Sequence, residues 1–172
     1  MVIVSASERA NLFTKTYFDC TVELAKITEK RIEQNCLYDS SVGKDAEFFE
    51  TNLCGIFRAN KENKKIILII FESGNNLGDL VHDICELINN KIQYTKMIIL
   101  QTISSFVYLS NDPTTRVIPP ILRRLSTCDD PTNTVEILEP PNMVDGISAM
   151  LLNFGRFYDK QVDVFLSVEE VS

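Results

Sequence analysis

The sequence has very little histidine: among its 172 residues there is one, His82. A serine or cysteine triad needs a histidine base, and a zinc site needs several ligands at fixed spacing. Helical spacing puts His82 with Asp79, Asp83 and Glu86 on the polar side of a predicted helix, so we expect it to be exposed and non-catalytic. EF-hand, GxGxxG and P-loop strings are absent as well. The residues therefore predict neither an enzyme nor a metal or cofactor site.

Positive charge is also in deficit, because 17 Lys and Arg stand against 24 Asp and Glu, for a net charge of -7. That balance gives no general attraction to nucleic acid or to an anionic membrane. The longest apolar run, residues 66–71, is far shorter than the roughly 20 residues of a spanning helix, and the amino terminus lacks a signal-peptide pattern. We expect a protein that binds neither nucleic acid nor membrane and is located in the cytoplasm, with the nucleus as a second location.

Paired cysteine motifs are missing too. The five cysteines are Cys20, Cys36, Cys54, Cys85 and Cys128. Their odd number and wide scatter predict reduced, partly buried thiols rather than disulfides or a zinc site.

What the sequence does contain is an alternation of strand and helix patterns. KKIILIIF (residues 64–71) and KMIILQTI (residues 96–103) are short, rich in β-branched residues, and predict strands buried on both faces. The amphipathic stretch between them predicts a helix, and so a βαβ unit. NLCGIF (residues 52–57) predicts a hairpin with the first run, and VDVFLSV (residues 162–168) predicts a late strand.

The amino-terminal VIV predicts a strand, and the helix after it has Ser5 and Glu8 at capping-box spacing. We expect ILRRLS, after Pro119 and Pro120, to form a short helix, and residues 135–138 to form a strand. Length and composition suit a single α/β domain over residues 1–172. The predicted fold has three layers, with a mostly parallel or mixed sheet flanked by helices.

The stretch ILEPPNMVDGISAMLLNFG, residues 137–155, predicts a stiff turn and a capped helix. We expect Asn142 to be the N-cap and Asp145 to reach back as in a capping box, with Gly155 as the C-cap. Those side chains would occupy the helix end, so a phosphate site is not favoured. GxSxG fails because Met150 replaces the second glycine, and Ser148 is expected to be a packing residue. The residues of the predicted turn and cap are Glu139, Pro141, Asn142, Asp145 and Gly146.

Two strings, PPILRRLST and LEPPNMVDGISAMLLNFGRFYDKQVDVFLS, resemble the proteasome assembly chaperone family. The first string matches a proline-led LRAL-type element, and the second matches an LEQPNIV-type turn followed by a helix with small residues on one face. The matching positions are Pro120, Leu122, Arg123, Leu125, Leu138, Glu139, Pro141, Asn142, Val144, Ala149 and Leu151. The family's hydrophobic-Tyr-any tail has no match, since Val171 stands at the tyrosine position.

The resemblance implies a nucleoside-phosphorylase-like fold without catalytic residues. It further implies a heterodimer with a partner similar to proteasome assembly chaperone 2, which scaffolds formation of the 20S proteasome α-ring by binding its α-subunits. No cofactor is implied. The side chains that we expect to contact partners are Pro120, Arg123, Arg124, Phe157 and Tyr158.

Two other functions stay open at this stage. An enzyme of related fold, acting on nucleosides or a phosphate ester, would need a polar pocket at the ends of the strands, near residues 73–76 and 101–105. An adaptor in some other complex would share the need for a partner and differ only in the partner's identity.

Overall fold

The computed structural model describes residues 1–18, 22–32, 48–61, 64–71, 80–110 and 118–170. Within these ranges, seven strands and three helices follow one another. They are β1 (Val2–Ser5), α1 (Glu8–Tyr17), β2 (Val22–Ile32), β3 (Phe48–Lys61), β4 (Lys64–Phe71), α2 (Leu80–Lys91), β5 (Lys96–Ser104), β6 (Ile121–Ser126), α3 (Gly146–Phe157) and β7 (Gln161–Glu169).

All seven strands form one mixed sheet in the order β2-β3-β4-β1-β5-β7-β6. The four central strands, β4, β1, β5 and β7, are parallel, while β2, β3 and β6 run antiparallel to their neighbours. The strands predicted at residues 64–71 and 96–103 and the helix between them are confirmed, and so is the hairpin of β3 with β4. The two strands of the βαβ unit, β4 and β5, are not neighbours in the sheet, because β1 lies between them.

Alternation along the strands separates two cores. On one face, Val2 and Val4 pack with Ile84 of α2 and Leu151 of α3. On the other face, Ile3 packs in a smaller cluster at the end of α1. Helices therefore lie on both sides of the sheet, which confirms the predicted three-layer α/β fold.

The ILRRLS segment is a strand, so the predicted short helix is wrong. β6 pairs antiparallel with β7, which turns Ile121 and Leu125 toward the larger core. Leu and Arg favour helices, but by only tenths of a kcal/mol per residue, and burial against a distant strand outweighs that preference. The strand predicted at residues 135–138 is also wrong: this segment makes one bridge, between Ile137 and Arg124, along the outer edge of β6.

Two predicted helix caps are corrected as well. Ser5 is buried in β1, and the cap of α1 is Ser7, whose Oγ accepts a hydrogen bond from the Ala10 amide at 3.4 Å. Gly155 lies inside α3, which continues to Phe157. It is buried where the helix approaches β7, and a Cβ built on it would lie 2.3 Å from Cγ2 of Val162. Close packing, rather than a turn, therefore requires glycine there.

The three cysteines in the described part of the chain, Cys54, Cys85 and Cys128, are free thiols, as predicted. Cys54 and Cys85 are buried, and burial raises the pKa of Cys85 to about 12. The predictions for Cys20 and Cys36 fall outside the described residues.

Candidate functional site

Three loops lie at the end of the sheet where β5 and β7 finish and β6 begins. They are residues 105–110, residues 118–120 and residues 139–145. In parallel α/β sheets this carboxyl edge is where binding sites form. The loops expose five large apolar side chains, which we call the apical patch: Phe106, Val107, Leu109, Ile118 and Met143.

The apical patch is far more exposed than apolar side chains of a folded protein usually are. Met143 is 85% exposed and Phe106 is 83% exposed. Clustered apolar side chains rimmed by polar groups mark interaction sites. Protein interfaces are enriched in Met, aromatic residues and Arg, all of which occur here. The composition of this edge is therefore that of a protein-docking surface.

Asn142 joins two of the loops under the patch. Its Oδ1 accepts a hydrogen bond from the Leu109 amide at 2.8 Å, and its Nδ2 donates to the carbonyl oxygens of Leu109 and Glu139 at 2.7 and 2.9 Å. With both ends of its amide bonded, Asn142 holds Leu109 and Met143 at one surface. The prediction that it caps α3 is wrong, because these bonds commit its side chain to the loops.

The residue that does precede α3 is Asp145, and its carboxylate makes no cap bond to the helix. Instead its Oδ1 accepts a hydrogen bond from Nε2 of Gln101 at 3.3 Å. The predicted capping box is therefore wrong. Gly146, the first helical residue, has a φ of 58°, in the left-handed region that favours glycine. The sharp entry into α3 depends on this residue.

A small ionic cluster supports the patch from below. Nε of Arg123 lies 2.9 Å from Oε2 of Glu139, and its Nη1 lies 3.0 Å from Oε2 of Glu136. The Tyr108 hydroxyl donates to Glu139. The Arg123 guanidinium also lies over the Tyr108 ring, 5.8 Å from its centroid. One carboxylate thus ties the loop after β5 to β6 and to the turn before α3.

Contacts within the cluster shift the pKa values of Glu139, Tyr108 and Arg123. Burial by itself would raise the pKa of Glu139, but hydrogen bonds from Tyr108 and Arg123 outweigh burial and lower it. Burial, helped by the bond to Glu139, raises the pKa of Tyr108. For Arg123, burial opposes the charge, yet contact with Glu139 and Tyr108 raises its pKa. All three groups keep their usual charge states at neutral pH.

The structure separates the side chains that were expected to contact partners. Pro120 is exposed and Arg123 is partly buried, and both lie at the patch edge. Phe157 and Tyr158 are exposed at the other end of α3, a helix of 12 residues, so they lie about 18 Å away along its axis. Their contact with a partner stays a prediction.

Arg124 is a different case, since it is only 5% exposed. Its Nη1 lies 3.8 Å from Oδ1 of the buried Asp163, which also pairs with Lys96 at 3.1 Å. A buried guanidinium presents no surface to a partner. We therefore remove Arg124 from the candidates and assign it to the attachment of β6 to β7.

The enzyme hypothesis needed polar side chains near residues 73–76 and 101–105. Residues 73–76 lie outside the described residues. Thr102 donates a hydrogen bond from its Oγ1 to Oγ of Ser7 at 3.0 Å, and Gln101 is bonded to Asp145.

His82 is exposed, as predicted, with its ring 5.5 Å from that of Phe154. Over the described part of the chain, no His, Cys, Asp and Glu cluster suits a metal ion, and no helix is long and apolar enough to cross a membrane.

Most of the apical patch escaped sequence reasoning. Phe106, Val107 and Leu109 fall where the strand pattern fades into SSFVYLSNDP, and Met143 lies inside the proline turn. The sequence did contain a signal for this surface. Three large apolar residues stand among Ser, Asn, Asp and Pro, outside any predicted strand or helix that could bury them, and this pattern indicates exposed apolar side chains.

Comparison with protein-family models gives no match, and comparison with curated proteins gives none. Solved structures do match. PbaA from Pyrococcus furiosus, an archaeal homolog of proteasome-assembly chaperone, is 16% identical, with a TM-score of 0.57 over 98% of this chain and 71% of PbaA. A proteasome-assembly chaperone homologue from Mycobacterium tuberculosis is 14% identical, with a TM-score of 0.56 over 99% of this chain and 75% of that one.

PbaB from Pyrococcus furiosus, an archaeal proteasome activator, matches with a TM-score of 0.59 and 9% identity, over 98% of this chain and 74% of PbaB. At such identities the likeness concerns the fold. The chain has the α/β fold of these proteasome-assembly chaperone homologues and of this activator.

Proposed function

We propose that this chain is a non-catalytic chaperone of 20S proteasome assembly. The observation that carries the proposal is the fold, shared over 98% and 99% of the chain with two homologues of proteasome-assembly chaperones. The apical patch supports it, because an assembly chaperone acts by binding other subunits, and such binding uses exposed apolar side chains. Beneath the patch, Tyr108 and Arg123 are both bonded to Glu139, and these bonds can hold the loops of a binding surface in place.

In the proposed mechanism the chain pairs with a partner similar to proteasome assembly chaperone 2. The heterodimer binds 20S proteasome α-subunits while the α-ring forms, in the cytoplasm and in the nucleus. We assign the apical patch to the contact with α-subunits. The bonds of Glu139 and Asn142 order the patch before it binds, so less conformational entropy is lost on docking.

The proposal is tested by the affinity of the chain and its partner for purified α-type subunits. Replacing Phe106 and Met143 together by Asp is expected to weaken binding more than about tenfold, because charge would be buried at the centre of the contact. Leu87→Asp is the matched control, since Leu87 is an exposed apolar residue on α2, away from the patch. Equal binding by both variants would contradict the assignment of the patch.

A second experiment tests the function without assuming the surface. The tagged chain is purified under mild conditions from its own cells, and the associated proteins are identified by mass spectrometry. We expect α-type proteasome subunits without mature particles, together with one α/β protein of similar size. Recovery of neither would overturn the proposal and favour an adaptor in another complex.

An activator role is separated from an assembly role by a peptidase assay on mature 20S particles. The fold shared with PbaB motivates this measurement. A chaperone of assembly is expected to leave peptide hydrolysis by mature particles unchanged. Stimulated hydrolysis would replace the assembly proposal with an activator function.

A further inference from the structure

The side of α1 that faces the sheet is mostly polar. Its buried residues are Ala10, Asn11 and Thr14, of which only Ala10 is apolar. Large apolar residues of α1 lie on the outside, since Leu12 is 69% exposed and Phe13 is 52% exposed. A helix on a sheet normally packs an apolar stripe on the core. The body of α1 therefore gains little stability from buried apolar area.

Three buried oxygen atoms between α1 and the sheet have no hydrogen-bond partner in the described part of the chain. They are Oγ of Ser5, Oδ1 of Asn11 and Oγ1 of Thr14. Ser5 belongs to this layer because residues alternate along β1, which puts it on the side of Ile3 in the smaller core. A buried oxygen without a partner destabilises the arrangement that buries it. The packing of α1 on the sheet is therefore weakened by the groups beneath it.

Polar contacts hold α1 in place instead. Oγ of Ser7 accepts hydrogen bonds from the amide and the hydroxyl of Thr102 in β5, at 3.1 and 3.0 Å. Nδ2 of Asn11 donates to the carbonyl oxygen of Phe71 at the end of β4, at 2.6 Å. Arg9 forms an ion pair with β7 at the surface, where such pairs add little. Bonds of this kind can be exchanged for bonds to water, so they resist opening less than buried apolar area does.

We infer that α1 opens and recloses as one unit while the rest of the sheet stays folded. Opening brings the three unpartnered oxygens into water. The buried apolar side chains that α1 and its C-cap contribute are Ala10 and Phe18. The other buried members of the smaller core lie on β1, β3 and β4, and they are Ile3, Ala59, Ile66 and Leu68. Elements with few buried apolar contacts are the ones that open locally. Helix α1 is thus a movable cover of the smaller core.

Hydrogen exchange of the purified chain, measured by mass spectrometry of its peptides, tests the inference. Helix α3 is the reference. It also has an oxygen without a partner among the described residues, on Ser148, but it buries Ile147 and Leu151 in the larger core. We expect the opening constant of α1 to exceed that of α3 at least about 100-fold. Low concentrations of urea should accelerate exchange in α3 and leave that in α1 nearly unchanged, because opening of α1 exposes little surface.

Thr14→Val replaces a buried, unpartnered hydroxyl by a methyl group of similar shape. It is expected to slow exchange in α1 about fivefold to tenfold, because the closed helix no longer buries that oxygen. Thr16→Val is the matched control, since it makes the same change on the exposed side of the same helix, where the hydroxyl donates to the Leu12 carbonyl at 2.8 Å. Because Thr and Val have similar helix propensities, this control should change exchange in α1 by less than about twofold.

Thr102→Val should have the opposite effect. It removes the hydroxyl that bonds to Ser7 from the strand side and leaves the helix sequence unaltered. We expect exchange in α1 to become about threefold to tenfold faster, because one of the bonds that hold the helix is lost. Unchanged exchange in α3 shows that each variant is folded.

Three outcomes would overturn the inference. The first is exchange in α1 as slow as in α3. The second is exchange in α1 that rises with urea as steeply as in α3, since α1 would then open only with the whole fold. The third is a Thr14→Val variant whose α1 exchanges as fast as that of the wild type or faster, since the hydroxyl would then be satisfied in the closed helix. None of these measurements involves proteasome subunits, so the inference and the proposed function fail separately.

Discussion

The two faces of the sheet are covered in different ways. On one face, α2 and α3 lie over a large apolar cluster that includes Ile84, Ile88 and Leu151. On the other face, α1 lies on a smaller cluster, with polar side chains beneath it and apolar ones outside. Buried apolar area is the main source of folding free energy. The first face therefore contributes more to folding stability than the second.

The largest effect is expected on the first face. Leu151→Ala removes a side chain that is only 1% exposed in the middle of α3. Lost transfer energy and the cavity left behind should lower the free energy of unfolding by about 2–5 kcal/mol. Urea denaturation measures this. A loss under about 1 kcal/mol would mean that α3 packs more loosely than its burial indicates.

Gly155→Ala should destabilise the same face by about 1–3 kcal/mol through overpacking. The added Cβ would meet Cγ2 of Val162 at 2.3 Å, and the backbone oxygen of Lys160 at 3.3 Å limits the room to move. The check is a double-mutant cycle with Val162→Ala, which removes the clashing methyl groups. If the effects of the two substitutions on the free energy of unfolding were additive, the close approach of α3 to β7 would not be the cause of the destabilisation.

Glu139→Gln is expected to lower the free energy of unfolding by about 1–3 kcal/mol, since it leaves the partly buried Arg123 with only the exposed Glu136 as a charge partner. Bonding lowers the pKa of Glu139 below its usual 4.5, so this stabilisation is present above that value and is lost as pH falls through the folded pKa.

The difference between wild type and the Gln variant should therefore shrink in acid. Denaturation at neutral pH and below the usual pKa of the carboxyl measures this change. A difference that stays constant would show that Glu139 acts through shape rather than charge.

The smallest effect is expected on the second face. Leu12→Ala should change the free energy of unfolding of the monomer by no more than about 0.5 kcal/mol, because this side chain is already in water. Urea denaturation measures this as well. A loss as large as that of Leu151→Ala would mean that the two faces contribute alike to stability.

Local sequence was sufficient for the regular framework. The runs that became β4, β5 and β7 carry enough β-branched residues to indicate strands by themselves, and the spacing in α2 indicates a helix. Such patterns are set by residues near one another in the chain, so they can be predicted without knowing the fold. The resemblance to proteasome assembly chaperones likewise came from two short strings.

Tertiary structure alone decided the remaining features. ILRRLS became a strand because β7 lay beside it, Asn142 bonded to Leu109 rather than to its own helix, and Arg124 was buried against Asp163. Each outcome depends on a partner at least 33 residues away in sequence. The energy of pairing and burial with that partner exceeds the few tenths of a kcal/mol that separate local propensities. The exposure of the apical patch and of α1 follows in the same way, because only the assembled sheet determines which apolar side chains it leaves uncovered.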